Sequence, residues 1–167
     1  AAGVRARMDD REEYRPGWKF NEYEMRGVPL RLEVGPRDLD SGHVVLARRD
    51  TFEKLTVARA GVAATVVGLL EQIQKNMYRK AREFQKEHSF AADTLADLAQ
   101  ILEQKTGFVL AGWCGKAECE AKVKEETKAT ARNIPFEVPA HLDFSTSRQC
   151  LVCGEPAKYP VWFARAY

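Results

Sequence analysis

Four cysteines in two close pairs constrain this chain more than any other feature of its sequence. Cys114 and Cys119 form a C-x4-C pair, and Cys150 and Cys153 form a C-x2-C pair that is followed by Gly154. Two such pairs allow two turns to present four thiolates to one tetrahedral ion. All four cysteines are then used and no ligand position is left for water, so the predicted site is structural and not catalytic.

Two disulfides, or four free buried thiols, are the alternatives to a metal. The start of the chain has no charged-then-apolar secretory pattern, and we therefore expect a reducing, cytoplasmic compartment. Close cysteine pairs in such a compartment are typical of metal sites. We predict one structural zinc ion on the four cysteines. His141 lies between the two pairs, and we interpret it as a loop histidine and not as a ligand.

Composition indicates a soluble globular protein. The 167 residues are 45% apolar and 30% charged, and this length suits one ordinary domain or two small ones. The formal net charge is only +2, so any nucleic-acid contact must come from a local arrangement of groups. No apolar run approaches the roughly 20 residues that cross a bilayer, and we expect no membrane partner.

The first part of the chain predicts a small mixed α/β sheet, which we assign to a domain over residues 1–70. Alternating apolar residues over 4–8 predict a strand that begins almost at residue 1, as if the chain started inside a domain. A short helix is predicted over 19–25, with Gly27 in a left-handed conformation after it. Two further strands are predicted over 30–34 and 44–47.

The second part predicts an α/β domain that we assign to residues 71–167. A long amphipathic helix over 58–88 leads into it, and we expect a kink or a split near Gly61 or Gly68. Asp93 is the predicted N-cap of the next helix. The remaining predicted elements are a strand over 108–111, a helix over 117–128, and strands over 132–136 and 159–164.

Several long motifs resemble the prolyl-tRNA synthetase family, in its archaeal/eukaryotic-like class II form. They are PGWKFNEYEMRGVPLRLEVGPRDL over residues 16–39, the RRDT turn over 48–51, WCG over 113–115, CLVCG over 150–154 and the ending FARAY. The resemblance extends over essentially the whole chain. It implies an anticodon-binding domain that lacks its start, followed by a carboxy-terminal zinc-binding domain.

The resemblance also implies the activity and partners of the whole enzyme. Members of this family attach proline to tRNA(Pro) with ATP, and nothing in this chain resembles the class II motifs of their catalytic domain. ATP and Mg²⁺ therefore belong to that domain, through which we also expect a homodimer. The expected partner is tRNA(Pro) and not DNA. The terminal carboxylate of Tyr167 is expected to reach toward the active site.

The resemblance assigns Glu24 and Arg31 as groups that recognise anticodon bases, with Lys54 as a third. A carboxylate accepts hydrogen bonds from guanine nitrogens and an arginine donates to guanine O6 and N7, which suits the two adjacent guanines that proline anticodons share. The alternative for Glu24 and Arg31 is an ordinary surface ion pair. We expect Phe20 to pack in the core, whereas Trp18 could offer an exposed stacking surface.

Two other functions remain open at the level of the sequence. The chain could be a stand-alone RNA-binding adaptor without a catalytic domain, or a zinc-stabilised interaction domain with no RNA role. Selective binding of tRNA(Pro) over a non-cognate tRNA would argue against the interaction domain.

Overall fold

A computed structural model describes residues 3–144 and 148–166 of the chain. These residues form two compact units: the first ends at Ala81 and the second begins at Arg82, within a helix that continues through the boundary. We call them the amino-terminal and the carboxy-terminal unit. Each contains a small sheet and helices, which confirms the predicted α/β class. The functional boundary that we assign near residue 70 stays a prediction.

The amino-terminal unit combines a three-stranded antiparallel sheet with helices. Its strands follow the order β1-β2-β3, and β2 therefore has a partner on both sides. The elements are α1 Pro16–Met25, β1 Leu30–Glu33, α2 Pro36–Ser41, β2 His43–Arg48, β3 Lys54–Ala58 and α3 Val62–Glu87. Three apolar residues of β2 are buried, with Leu46 fully inaccessible, and Leu69 and Ile73 of α3 are buried as well. The central strand thus anchors the core of this unit.

Helix α1 is bounded by residues suited to helix ends. It begins at Pro16, three residues earlier than predicted, because proline at the first helical position lacks only an N–H that would have no partner there. It ends as predicted, with Gly27 at φ 79°. The amides of Gly27 and Val28 donate to the carbonyls of Glu24 and Tyr23, which satisfies groups that the helix end would leave unpaired. This end fixes the turn from α1 into β1.

The predicted strand over 4–8 and the predicted split of the long helix are wrong, whereas the alternative of a kink stays a prediction. Residues 4–8 form no strand, and the Met8 side chain is 80% exposed. Alternation alone does not make a strand, because the backbone also needs a neighbouring strand to pair with. Helix α3 is continuous over 26 residues, with Gly68 inside it and Gly61 before it. One glycine costs a helix only about 1 kcal/mol, which is too little to break a helix of this length.

The carboxy-terminal unit contains a four-stranded mixed sheet in the order β4-β5-β7-β6. Strands β4 and β5 are parallel, and the other pairs are antiparallel. The elements are β4 Ser89–Ala91, α4 Leu95–Gln104, β5 Phe108–Trp113, α5 Ala117–Thr127, β6 Ala129–Asn133 and β7 Tyr159–Arg165. The central strands supply fully buried residues such as Val109 and Phe163, around which the core forms. These strands carry the loops that hold the cysteines.

Two boundaries in this unit differ from the predictions. Thr94, and not Asp93, caps α4: its hydroxyl accepts from the amide of Asp97, whose carboxylate accepts from the amide of Thr94 in return. Asp93 instead pairs with Arg148. Strand β6 ends at Asn133, before the segment in which Phe136 is fully exposed. The apolar pattern over 132–136 therefore does not correspond to buried sheet positions.

Among the helices of the described residues, none combines the length and the apolar character needed to cross a membrane.

The turn after β2 is held by a buried carboxylate. The Asp50 side chain is only 1% exposed, and it accepts hydrogen bonds from Arg48 and from the Asn76 amide of α3. The Arg48 guanidinium lowers the pKa of Asp50 to about 2, although burial opposes this shift. Because this pKa is depressed in the folded state, the charge stabilises the fold above about pH 4, and the stabilisation is lost as the pH falls through about 2.

We predict that Asp50→Asn destabilises the amino-terminal unit at neutral pH by about 1.5–3 kcal/mol, because a charge-assisted hydrogen bond is weakened. The variant should also lose less stability than the wild type between pH 5 and pH 2. Thermal unfolding followed by circular dichroism across that interval measures both effects. Asp40→Asn, at an exposed position of α2, is the matched control. Parallel pH curves for the wild type and Asp50→Asn would contradict the assignment.

Candidate nucleic-acid interface and candidate metal centre

Sheet register brings the predicted base-recognition residues of the amino-terminal unit together. Arg31 of β1 is paired with Ala47 of β2, and Ala47 is paired in turn with Lys54 of β3. Directly opposed residues of an antiparallel sheet lie on the same face, so these three side chains form one row. The small, buried Ala47 leaves a hollow between two long cationic side chains. Glu24, from the last turn of α1, lies beside Arg31.

The charged groups in this row share hydrogen bonds. Arg31 donates from Nη1 to Glu24 Oε1 at 2.8 Å and from Nε to Glu33 Oε1 at 3.0 Å. Lys54 Nζ donates to the other oxygen of Glu33, also at 3.0 Å. Partial burial would raise the pKa of Glu33, but the hydrogen bonds from Lys54 and Arg31 hold that pKa below its usual value. Glu33 therefore orients both cations, although the two do not contact each other.

Phe20 supports this cluster and does not lie in the buried core, contrary to the expectation. Its side chain is only partly buried. The Arg31 guanidinium carbon lies 3.9 Å from the ring centroid, and Lys54 Nζ lies 5.7 Å from it. A guanidinium at such a distance is attracted by the ring's quadrupole. Phe20, a residue of α1, thus helps to hold the Arg31 guanidinium in place.

A pocket of about 150 Å³ lies over the row. A cavity of this volume accommodates a single aromatic ring such as benzene. Its lining residues are Tyr23, Glu24, Val28, Arg31, Ala47, Arg48, Arg49, Phe52 and Lys54. The pocket thus presents a carboxylate acceptor and guanidinium donors next to one another, the groups that hydrogen-bond the edge of a guanine.

Other candidate contacts are engaged within the protein. Arg48 pairs with Asp50, and Arg49 Nε donates to the Glu24 carbonyl at 2.9 Å. Trp18 is 47% exposed, and its ring stacks on that of Tyr14 at a centroid distance of 4.0 Å. The two arginines therefore position the turn and α1, whereas Trp18 offers an aromatic surface outside the pocket.

The four cysteines of the carboxy-terminal unit converge on one point. Cys114 follows β5, Cys119 lies in the first turn of α5, and Cys150 and Cys153 come from the loop before β7. Cys114 Sγ lies 3.6 Å from Cys119 Sγ and 3.7 Å from Cys153 Sγ. All four sulfur atoms lie within 4.8 Å of one another, and none is in a disulfide.

These distances suit a tetrahedral metal site. Sulfur atoms at about 2.3 Å from a common ion lie about 3.8 Å apart in a regular tetrahedron. Burial alone would raise the pKa of Cys150, but the backbone amides of Cys153 and Val152 lower it to about 7. Burial raises the pKa of the Cys119 thiol well above its usual value, so only a bound cation would keep that sulfur as a thiolate. The four cysteines could therefore hold a metal ion.

A close approach of two backbones brings the cysteine loops together. The Gly112 carbonyl accepts from the Leu151 amide at 3.0 Å. A Cβ atom at Gly112 would lie 2.5 Å from the Gln149 carbonyl oxygen and 2.9 Å from Ala157 Cβ. Only glycine fits here without displacing the loop that carries Cys150. The contact thus links β5 to the second cysteine pair.

Comparison with known proteins identifies both units. A family model described as "Anticodon binding domain" matches residues 1–69, and one described as "Prolyl-tRNA synthetase, C-terminal" matches residues 95–167. A proline–tRNA ligase of Symbiobacterium thermophilum is 56% identical over 174 residues, which cover 100% of this chain. The proline–tRNA ligases of Rubrobacter xylanophilus and Natranaerobius thermophilus are 49% and 48% identical, over 99% and 98% of it. The chain belongs to the prolyl-tRNA synthetase family.

The resemblance to the prolyl-tRNA synthetase family is thereby confirmed, whereas the archaeal/eukaryotic-like form stays a prediction. The chain spans about a third of the length of these relatives, 34% of the Symbiobacterium protein and 33% of each of the other two.

The structure brings Glu24, Arg31 and Lys54 together in one pocket, and it brings the four cysteines together in one cluster. His141 lies beside another pocket, and the metal-compatible cluster found in the described part of the chain consists of cysteines alone. Tyr167 lies outside the described residues, so its predicted approach to an active site stays a prediction.

Sequence reasoning missed Glu33 and Ala47. Glu33 lies two residues from Arg31 on the same strand, so strand alternation could have identified it. No local signal marks Ala47, because its importance depends on the register of β2 with both neighbours.

We predict that Gly112→Ala destabilises the carboxy-terminal unit by about 1–3 kcal/mol, because the added methyl group overpacks against Gln149 and Ala157. Its affinity for a metal ion should fall as well, since the Cys150 loop must move. Urea unfolding and competitive metal titration measure the two effects. Gly68→Ala is the matched control: its Cβ meets open space within α3, and it should stabilise by about 0.5–1 kcal/mol. Equal stability of wild type and Gly112→Ala would contradict the close-packing argument.

Proposed function

We propose that this chain is the tRNA-recognising, zinc-binding carboxy-terminal part of a proline–tRNA ligase, which uses ATP to attach proline to tRNA(Pro). The single observation that carries the proposal is the Glu24–Arg31 pair in a ring-sized pocket of an anticodon-binding domain. Relatives that match the whole chain are named proline–tRNA ligases. Catalysis, with ATP and Mg²⁺, would belong to a separate catalytic domain of the whole enzyme.

The geometry of the pair suits the edge of one guanine. The Watson–Crick edge of guanine presents the donor nitrogens N1 and N2 and the acceptor O6, and the adjoining Hoogsteen edge presents the acceptor N7 beside O6. The Glu24 carboxylate and the Arg31 guanidinium already lie side by side, 2.8 Å apart. The carboxylate can accept from the donor nitrogens of one guanine while the guanidinium donates to an acceptor of the same base. Arg31 uses Nη1 and Nε within the protein, and none of the hydrogen bonds among the described residues uses its Nη2. Nη2 is thus a donor for the base.

Lys54 is the third proposed RNA contact. Its side chain is 54% exposed, far more than that of Arg31 at 18%. The Lys54 ammonium can therefore contact a second base, or the RNA backbone beside that base, while it stays exposed to solvent. A flexible point charge suits a contact that need not be bidentate. Lys54 would then contribute affinity, whereas Glu24 and Arg31 would select the base.

Zinc is the metal that we propose for Cys114, Cys119, Cys150 and Cys153. Four thiolates at tetrahedral spacing form the ligand set that zinc adopts in closed structural sites. The ion would supply a cross-link between the β5–α5 turn and the loop before β7. Around it, Lys116 and Glu155 pair at 2.7 Å across the two loops. This exposed pair adds little stability by itself, and the main cross-link would be the metal.

The remaining assignments follow from the family. We propose tRNA(Pro) and not DNA as the nucleic-acid partner, a homodimer formed through the catalytic domain, and a cytoplasmic location. The terminal carboxylate of Tyr167 would approach the active site of the whole enzyme. The carboxy-terminal unit would support the enzyme, and the amino-terminal unit would supply the specificity for the anticodon.

We predict that Arg31→Ala weakens binding to tRNA(Pro) by about 1–3 kcal/mol, because the Nη2 contact to the guanine is lost and Glu24 loses the partner that orients it. Fluorescence anisotropy with labelled tRNA(Pro), and with the same tRNA carrying adenines in place of the anticodon guanines, measures the affinity and the selectivity. The variant should bind the two tRNAs more equally than the wild type does.

Arg26→Ala is the matched control for this experiment, because Arg26 is an exposed arginine of the same region, paired with Glu22 outside the pocket. It should leave selectivity unchanged. Unaltered affinity and selectivity in Arg31→Ala would overturn the assignment of Arg31. Equal binding of cognate and non-cognate tRNA by the wild-type chain would instead favour an interaction domain without an RNA role.

Removal of the metal should unfold the carboxy-terminal unit first. Zinc bound by four cysteines contributes on the order of 10 kcal/mol to the folding of small domains. We expect about one zinc per reduced chain by elemental analysis. A chelator should abolish hydrogen-exchange protection in β5 and β7 while β2 keeps its protection, and added zinc should restore the lost protection. A reduced, folded chain without metal, or a chelator-resistant β5, would contradict the zinc proposal.

A further inference from the structure

An exposed aromatic ring lies at the rim of the base pocket. Phe52 belongs to the loop between β2 and β3, and it lines the same pocket as Glu24, Arg31 and Lys54. The residue is 74% exposed. Tyr23 is the other aromatic residue in the lining and is partly buried in α1. Phe52 is therefore the ring that a ligand entering the pocket can cover.

The backbone at Phe52 is strained. Its φ is 61°, in the left-handed region that residues with a bulky side chain rarely adopt. Glycine, or an asparagine that tolerates this region, is the usual choice at such a position of a hairpin loop. A phenylalanine here lowers the stability of the folded state relative to those residues.

The surrounding loop imposes this conformation. The Asp50 carboxylate is held by Arg48 and Asn76, and its carbonyl accepts from Lys80 at 3.0 Å. The Arg48 amide closes the loop on the Glu53 carbonyl at 2.9 Å. The backbone path is therefore determined by contacts that do not involve the Phe52 side chain. Any residue at position 52 would have to accept the left-handed conformation.

The Phe52 ring has no aromatic or cationic partner among the described residues. None of the ring–ring or cation–ring contacts found among the described residues includes Phe52. Its exposure excludes a substantial contribution from burial. A strained residue that the fold does not require is a reason to infer a function. Its position beside the base-recognition pair indicates which function.

We propose that Phe52 is a stacking surface for an unpaired base of the tRNA, placed so that the base edge meets Glu24 and Arg31. This proposal rests on the proposed anticodon recognition and adds a residue to it. Every nucleobase has a π-face, so stacking contributes affinity that depends little on base identity. Phe52 would therefore raise the affinity for the RNA, whereas Arg31 would raise the selectivity.

The variant Phe52→Asn tests the proposal, because asparagine removes the ring but tolerates the left-handed backbone. We expect it to bind tRNA(Pro) about 5- to 150-fold more weakly, the range for loss of one stacked base. The loss should be equal for tRNA(Pro) and for the tRNA with substituted anticodon guanines, so that the ratio of the two dissociation constants is preserved. Arg31→Ala should lower that ratio. The melting temperature of Phe52→Asn should not fall.

Two further variants sharpen the experiment. Phe52→Trp keeps a stacking ring and should retain the wild-type affinity. Tyr78→Ala removes another exposed aromatic ring, from α3 and outside the pocket, and should leave binding unchanged. If Phe52→Asn proves unstable, Phe52→Gly removes the ring at a backbone conformation that glycine adopts freely.

The outcomes separate this inference from the function on which it rests. Wild-type affinity in Phe52→Asn, together with weakened binding in Arg31→Ala, would overturn the stacking role and leave anticodon recognition intact. A changed selectivity ratio in Phe52→Asn would also overturn it, because the ring would then contribute to base choice. If the wild-type chain does not prefer tRNA(Pro), the proposed function and this inference both fail.

Discussion

The register of the three-stranded sheet is the constraint on which the candidate RNA site depends. Pairing of β2 with both neighbours aligns Arg31, Ala47 and Lys54 on one face, and a slip of one residue would move a member of the row to the opposite face. Ala47 is buried and small, so the row encloses a hollow between two cations. Helix α1 then completes the site, because its Gly27 turn leads directly into β1 and leaves Glu24 beside Arg31.

The charges in this site orient one another more than they stabilise the fold. Ion pairs that stay in contact with solvent contribute little to stability, and the network of Arg31, Glu24, Glu33 and Lys54 is only partly buried. Its consequence is preorganisation: each cation is held by a carboxylate and lies over the Phe20 ring before any ligand binds. A site prepared in this way loses less side-chain entropy on binding. Such preorganisation would let a chain with a formal charge of only +2 make the specific RNA contact that we propose.

The carboxy-terminal unit is organised around a different constraint, the convergence of its cysteine loops. Three parts of the chain supply the sulfur atoms, and the mixed sheet brings them together by pairing β5 with β7. Close contact at Gly112 then leaves the Cys150 loop little freedom. Backbone amides already lower the pKa of Cys150, whereas Cys119 is buried where a thiolate needs a cation. The two units thus bring together different chemical groups: hydrogen-bonding side chains at an open pocket in the first, and four cysteines that could hold a metal ion in the second.

The sequence by itself determined the α/β class, the end of α1 at Gly27 and the grouping of the four cysteines in one cluster. These features depend on residue types at short spacing, as turns, helix ends and sets of metal-binding residues do. Long motifs also identified the family and, with it, Glu24, Arg31 and Lys54. Only the tertiary structure decided that residues 4–8 form no strand, since a strand requires a partner for its backbone. It likewise decided the importance of Ala47 and the strain at Phe52, because register and the path of a loop arise from contacts between residues distant in sequence.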